Sequence, residues 1–406
     1  MEERALHIVI VGSVDHGKST LIGRLFFDSG SLPPEKLAEI KRVCEELGRP
    51  LEFAYVMDNL EEERTRGITI DIAHTFFTTP KRKYVIIDAP GHKEFLKNMI
   101  SGSSQAEAAI LLVEITRGIQ EQTLRHCYIL SLLGIKQVAV TVNKMDLVGY
   151  SEAAFLDLKK RIEEVTMKYG ITPSYIIPIS AMEGENVAKA SEKLSWYKGP
   201  TVLEALDNFE EMKIEEKGAR FPVQDTYEIS GQKIVAGRIE AGRLREGQEL
   251  WVLPGKTKAK VASIKKYLEP DLKEAQTGEC VGLILEGVDV KRGDILSETL
   301  SPTITRTVHA NIFWMIDKDY KLGIPLTFKC ATQEARGKIE RIRRSFDPAS
   351  EKEAVTDAVS ISQAEVAEVD ITLSAEVAIE RFSDIPELGR FVLEHDGRPV
   401  AGGIII

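Results

Sequence analysis

Residues 12–20 read Gly-Ser-Val-Asp-His-Gly-Lys-Ser-Thr, which fits G-x-x-x-x-G-K-[ST] with Gly12, Gly17, Lys18 and Ser19 on the fixed positions. This combination holds phosphate. Glycines let backbone N–H groups approach an anion, Lys18 bridges its β- and γ-phosphates, and Ser13, Val14, Asp15, His16 and Thr20 complete the loop. His16 is expected to pack or bond locally, without a catalytic role. The pattern turns up by accident in roughly one chain of this length in a hundred. Its flanks lower that chance: "HIVIV" before it reads as a buried strand, and "STLIGRLFFDSG" after it as a helix stopped by Gly30. A helix N-terminus then faces the anion.

The base is named by "NKMD" at 143–146, which follows the apolar run "QVAVTV". The Asp146 carboxylate can accept from the N1–H and the exocyclic amine of guanine. Adenine has no amine at that edge and would leave the carboxylate unpaired, a difference that such sites turn into discrimination of about 10⁴–10⁵. Asn143 is expected to brace the base and the loop, and the Lys144 stem to lie along the purine face. Ser180, Ala181 and Met182, again after a strand, offer a backbone N–H to the guanine carbonyl. A lone N-K-x-D is an ordinary turn. In this order after a phosphate loop it specifies guanine.

"DAPGH" at 88–92 follows the strand "YVIID". Asp88 is placed to hold Mg2+ through water, with Ser19 coordinating the ion directly. Gly91 provides an N–H that can approach a γ-phosphate closely. Thr69, in "RGITI", can close its hydroxyl and carbonyl on the Mg2+ and the γ-phosphate. Two segments ordered by GTP and released after hydrolysis make a switch. His92 stands where a side chain is needed to orient the attacking water. Lys18, Thr69 and His92 are the candidate catalytic residues, for GTP hydrolysis to GDP and phosphate.

These residues need a scaffold that brings several strand ends together. Up to about residue 205 apolar strands alternate with helical segments, which predicts an α/β P-loop GTPase domain with a mainly parallel sheet and helices on both faces. Ligands of such sheets bind beyond the carboxyl ends of the strands, where every motif above falls. Near 210 the texture changes to a charged linker, "EEMKIEEKGARFP". Short strands with glycine turns follow, and Asp396-Gly397 marks a hairpin. The expected organisation is a GTP-binding domain over 1–210 and two small all-β barrel domains over 219–302 and 303–406.

A chain of 406 residues exceeds one ordinary core. Its longest apolar runs fall short of a membrane span, and its acidic start runs straight into a strand, so neither a leader nor a membrane partner is expected. Four scattered cysteines give no disulfide framework or zinc site, and a reducing cytoplasm fits. The net charge of −10 argues against a broad nucleic-acid surface. Two basic runs, "KRK" at 81–83 and "RGKIERIRR" at 336–344, read as solvated strand or hairpin faces.

Together the motifs resemble those of the translation-factor superfamily of GTPases, along nearly the whole chain. "DAPGHKEFLKNMISGSSQAEAAILLV" is similar to elongation factors that deliver aminoacyl-tRNA, and also to the GTPase large subunit of bacterial ATP sulfurylase. "LIGRLFFDSG", "ERTRGITIDIAHTFFTTPKRKY" and "RGIQEQTLRHCYILSLLGIKQVAVTVNKMDLVGYSE" resemble the sulfurylase subunit closely, as do "FPVQ", "VLPG" and "DVKRGDIL". His16 and Ala89 stand where that subunit usually carries aspartate and threonine. The resemblance implies a GTPase that couples hydrolysis to forming adenylyl sulfate from ATP and sulfate, in complex with a catalytic small ATP-sulfurylase subunit. Its alternative is an elongation- or release-type factor acting with tRNA or a release factor on the ribosome. A structural module with a dead switch is disfavoured, because every catalytic position is filled.

Overall fold

The computed structural model describes residues 5–13, 15–32, 74–88, 106–210, 217–229, 231–266, 270–350 and 353–406, with the isolated residues 35, 38 and 42. Val14, Thr69, Gly91 and His92, and the side chain of Asp88, lie outside the described set. The chain divides into two compact units, one holding the described residues up to 210 and the other those from 217 onward.

The first unit is built on a six-stranded sheet, β1 (Leu6–Gly12), β2 (His74–Thr78), β3 (Lys83–Asp88), β4 (Ala108–Glu114), β5 (Gln137–Asn143) and β6 (Tyr175–Pro178), in the order β2-β3-β1-β4-β5-β6. Only β2 runs antiparallel to its neighbour. Of the expected strand "ITIDIAHTFF", residues before His74 lie outside the described set. Every residue of β4 is buried, as a central parallel strand covered on both faces requires. On one face Ile8, Ile10, Ile110 and Leu112 pack against Leu21, Ile22 and Leu25 of α1 (Lys18–Asp28) and Val202, Ala205 and Leu206 of α4 (Val202–Asp207). Alternate residues such as Val9, Leu111 and Val140 are equally buried, and α2 (Glu121–Leu132) rests on β1 and β4. The helix α3 (Glu152–Lys168) is capped by Ser151, whose Oγ accepts from the Ala154 N–H at 3.3 Å.

Register decides where the motifs meet. Ile10 pairs with Asp88, Gly12 with Leu112, and Glu114 with Asn143, so the carboxyl ends of β1, β3, β4 and β5 finish side by side. At the far end of the unit, the Asp207 carboxylate accepts from Thr79 Oγ1 at 2.7 Å and from the Tyr84 hydroxyl, while Lys81 donates to the Asp207 carbonyl. The "KRK" run is therefore a clamp on the end of α4 in part, rather than only a solvated face.

The second unit is all strand but for one short helix. Its first layer comprises β7 (Arg220–Ile229), β8 (Gln232–Arg238), β9 (Arg243–Arg245), β10 (Glu249–Leu253), β11 (Thr257–Lys265), β12 (Glu274–Gln276), β13 (Cys280–Glu286) and β14 (Ile295–Ser297). Six of these close as a barrel in the order β10-β11-β13-β8-β7-β14. The expected linker stops short of Pro222, which lies within β7 opposite Ile295. A proline fits there because the β7–β8 register begins only at Val223, so Pro222 is not required to donate to that ladder. The remaining strands are β15 (Thr303–Trp314), β16 (Tyr320–Lys321), β17 (Leu326–Cys330), β18 (Gln333–Phe346), β19 (Val355–Ala358), β20 (Ser360–Ile361), β21 (Val366–Ile379), β22 (Arg390–His395) and β23 (Arg398–Ile405), with α5 (Pro386–Gly389) before β22. Pairing runs β17-β22-β23-β15-β21-β18-β19, and a further β17–β18 pairing closes the second barrel. Asp396 and Gly397 turn β22 into β23 at φ 49° and 72°, the two left-handed positions that a two-residue hairpin needs.

Within this unit the barrels share a small apolar seam of Ala241, Leu253, Ile295, Ala378, Ile385 and Leu388. Beside it the buried Arg220 Nε donates to Glu380 Oε1 at 2.9 Å. Glu240 faces the same joint. Burial raises its carboxyl to about 7, against the pull of Arg238 and Arg390 and with the push of Glu387. The folded protein therefore keeps a proton that the unfolded chain releases near pH 4.5, so this group removes stability as pH rises from about 4.5 to about 7. Glu240→Gln should be more stable than the parent at pH 8 and indistinguishable from it at pH 4.5. Urea midpoints across that range test the sign, and a pH-independent difference would refute it.

Candidate functional site

The phosphate loop hangs between β1 and α1 on two tight approaches. A Cβ on Gly12 would sit 2.8 Å from Leu112 Cβ, and one on Gly17 would sit 2.5 Å from Asn143 Nδ2. Gly17 also takes φ 92°, and Asp15 takes φ 65°, so the loop alternates through left-handed positions that turn successive N–H groups toward one side. The first bond of α1 runs from Leu21 N–H to the Gly17 carbonyl at 2.9 Å. Helix α1 therefore opens with amides that precede its first internal bond, the end of a helix at which an anion binds.

His16 is fully buried. Its Nδ1 lies 3.3 Å from the Leu112 carbonyl and its Nε2 3.1 Å from Gln120 Oε1. Burial lowers its pKa below the ordinary histidine value. The ring ties the loop to β4 and to the residue that caps α2, which is the local bonding role expected of it.

Asn143 joins the two halves of the candidate site. Its Nδ2 donates to the His16 carbonyl at 2.8 Å, and its Oδ1 accepts from the Ala181 N–H at 3.0 Å. One side chain, 2% exposed, thereby fixes the phosphate loop against the loop at 180–182. That bond occupies the Ala181 amide. Ser180 Oγ donates to Asp146 Oδ1 at 2.7 Å, orienting the carboxylate. Lys144 adopts φ 63°, and its Nζ sits 2.9 Å from Glu114 Oε2.

Glu114 was not singled out from the sequence. Only 3% exposed at the end of β4, it holds the Lys144 stem in place. Burial works to raise its carboxyl, but hydrogen bonds from Thr116 and Lys144, with the charges of Lys144 and Arg117, keep it below the ordinary carboxylate value. A charged residue closing an apolar strand is the signal that could have revealed it. Arg24 was missed too: a Cβ on Gly184 would sit 2.2 Å from its guanidinium carbon, so α1 props the loop after Met182 directly.

Ser19 at the start of α1 and the backbone of Asp88, two residues short of the Gly12 level on β3, lie at adjacent strand ends. The residue types expected to hold the metal, serine, threonine and aspartate, are all oxygen donors, which suit Mg2+ better than a nitrogen- or sulfur-seeking metal. Among the described residues there is no group of three His, Cys, Asp or Glu that could cage a metal.

Comparison with known proteins settles the lineage. Residues 3–212 match the family described as elongation factor Tu GTP binding domain, 232–297 match elongation factor Tu domain 2, and 307–406 match the GTP-eEF1A C-terminal domain-like family. This chain belongs to the translation-factor GTPases. Elongation factor 1-alpha of Pyrococcus furiosus is 40% identical over 417 residues, spanning 99% of this chain and 97% of that protein. Elongation factor 1-alpha of Thermococcus celer is 40% identical over 421 residues, spanning 100% of this chain and 98% of that protein. A crystal structure of sup35 complexed with GDP shares 23% identity with a TM-score of 0.45, over 100% and 94% of the two chains, too weak a likeness to support an inference.

These relatives overturn the sulfate-activation reading and its small-subunit partner. The physical reason is where the misleading stretches lie. "LIGRLFFDSG" supplies the buried face of α1, and "RGIQEQTLRHCYILSLLGIKQVAVTVNKMD" runs through α2 and β5 into the base loop. Such residues are fixed by packing and by guanine chemistry, whatever partner the GTPase serves. No described helix of this GTPase is long and apolar enough to cross a membrane.

Asn143→Ala would remove both inter-loop bonds at once and leave the His16 carbonyl and Ala181 amide without partners. Guanine nucleotide should bind about 10- to 100-fold more weakly, from roughly 1–3 kcal/mol of lost pairing. Titration with a fluorescent GDP checks this, and an unchanged Kd would deny Asn143 its joining role.

Proposed function

We propose that this chain is an elongation-type translation GTPase, which carries aminoacyl-tRNA to the ribosome in its GTP state and releases it after hydrolysis. The observation that supports this most is identity of 40% with a protein named elongation factor 1-alpha across 99% of the chain, barrels included. In this reading Asp146 pairs with the guanine edge, Asn143 and Ser180 hold that carboxylate and its loops in place, and Lys144 lies on the purine face. Lys18 meets the β- and γ-phosphates together with the amides of the loop at 12–20. Ser19, Thr69 and Asp88 would hold Mg2+, which when bound neutralises charge on the β- and γ-phosphate oxygens. His92 orients the attacking water, and Gly91 donates an amide to the γ-phosphate.

The energetic logic is differential binding. GTP and GDP differ by one phosphoryl group, so the states can differ in partner affinity only where the γ-phosphate reaches segments that touch the partner. The segments at 66–70 and 88–92 are the ones whose motifs fit that task.

Asp146→Asn should weaken GTP and favour xanthosine triphosphate, whose base carbonyl accepts from the new amide. His92→Ala should lower ribosome-stimulated turnover by about 10²–10⁴-fold while leaving nucleotide affinity within a few-fold, because its contact forms only with the reacting water. Competition between GTP and ATP, and aminoacyl-tRNA binding to the GTP and GDP forms, test the whole reading. Equal affinity for the two nucleotides would sink the guanine assignment, and tRNA binding that ignores the nucleotide would sink the delivery role.

A further inference from the structure

The tip of the loop at 180–185 has little apolar packing to hold it: Met182 is 45% exposed, and the Glu183 side chain is 43% exposed. A polar network holds it instead. The Tyr150 hydroxyl donates to Glu183 Oε2 at 2.5 Å, and Lys193 Nζ reaches the same Glu183 oxygen at 2.5 Å and Glu185 Oε1 at 2.9 Å. The ammonium also lies 5.0 Å from the centroid of the Tyr150 ring. Tyr150 comes from the other base loop: its N–H donates to the Met145 carbonyl at 2.8 Å, closing the turn that carries Asp146.

That turn is bounded at both ends by left-handed backbone. Met145–Val148 form one turn of 3-10 helix between Lys144 at φ 63° and the pair Gly149 and Tyr150 at φ 57° and 60°. Non-glycine residues persist in the left-handed region only when their surroundings impose it. Glu114 imposes it on Lys144. Trp196 Nε1, donating to the Tyr150 carbonyl at 3.0 Å, and Glu183 impose it on Tyr150.

We propose that Tyr150, Glu183 and Lys193 form a clamp that ties the Asp146 turn to the 180–185 loop and sets how fast guanine nucleotide leaves. The inference rests on the guanine-site reading above and assigns these three as positioning residues for it. Ser180 and Asn143 already join the two loops at Asp146 and Ala181, and the clamp joins them a second time through exposed side chains. An isolated exposed ion pair would contribute little, but here one ammonium serves two carboxylates and a ring, and the phenol serves one of those carboxylates. Burial and Glu183 push the Tyr150 hydroxyl up to about 12, so the phenol stays a donor across the physiological range.

The test is the dissociation rate of mant-GDP, chased with excess GDP at low and high KCl. Measurements use the full chain, Lys193→Ala, Lys193→Arg and Glu183→Gln. Lys193→Ala should release the nucleotide roughly threefold to tenfold faster at low salt, with an association rate near that of the parent. Lys193→Arg should restore slow release, and high salt should bring the parent toward the alanine variant. Glu183→Gln, which keeps the side-chain shape, should fall between them at an unchanged thermal midpoint. Parental release rates in both Lys193→Ala and Glu183→Gln at low salt would overturn the clamp. So would faster release that ignores salt and appears only with a lowered thermal midpoint, the mark of general loosening. Failure of the parent itself to bind mant-GDP in preference to ATP would instead overturn the guanine reading, which separates the two failures.

Discussion

Two hydrogen bonds of one buried amide, Asn143, link the phosphate loop to the loop that follows β6. The amide is suited to this because it donates and accepts at opposite ends. A carboxylate could not donate to the His16 carbonyl, and a hydrophobic residue would leave that carbonyl and the Ala181 amide unpaired in a buried place. The arrangement depends on register as well. Asn143 ends β5 opposite Glu114, and Gly12 ends β1 opposite Leu112, so the parallel ladder sets the distance that the amide spans. Gly17 completes the fit, since any side chain there would collide with the Asn143 nitrogen.

The same constraint explains why backbone outliers gather at this end of the sheet. Asp15, Gly17, Lys144, Gly149, Tyr150 and Gly184 all take positive φ. Each is a place where chain leaving a strand must turn sharply enough to present an amide or a carboxylate to one small volume. Three of them are not glycine. Each of these three residues has its side chain in use: Asp15 with Arg117, Lys144 with Glu114, and Tyr150 with Glu183 and Lys193. Strain accepted in the backbone is offset by polar contacts that hold the loops still.

Much of this was legible in the sequence because the relevant signals are local. A glycine loop between a strand and a helix, N-K-x-D after an apolar run and a serine–alanine pair after another each report their own surroundings. The parallel sheet followed from the alternation of strands and helices, and the two barrels from short strands with glycine turns. What escaped were residues whose partners are distant in sequence. Glu114 is defined by Lys144, Arg24 by Gly184, and Lys193 by Tyr150, and no spacing rule connects any of these. Pro222 was misplaced for the opposite reason: proline is a strong local signal for a break, but it stands just before the β7–β8 ladder begins, where its missing N–H is tolerated.

Pathway was the hardest property to read, and the basic strand shows why. In β18, Arg341 pairs with Asp357, Arg343 with Asp370 and Lys338 with Glu340, while Arg344 lies over the Phe346 ring. A run that reads as strongly positive along the chain is thus matched in good part by carboxylates on its own and neighbouring strands. The GTPase core has the reverse character: buried, tightly paired and nearly the same for any partner the switch serves. Residues that packing and guanine chemistry dictate carry no memory of the partner, and those that could carry it sit on exposed strands where many sequences fold equally well. Only similarity sustained across both barrels, rather than at the motifs, can therefore distinguish one translation-type GTPase from a metabolic cousin.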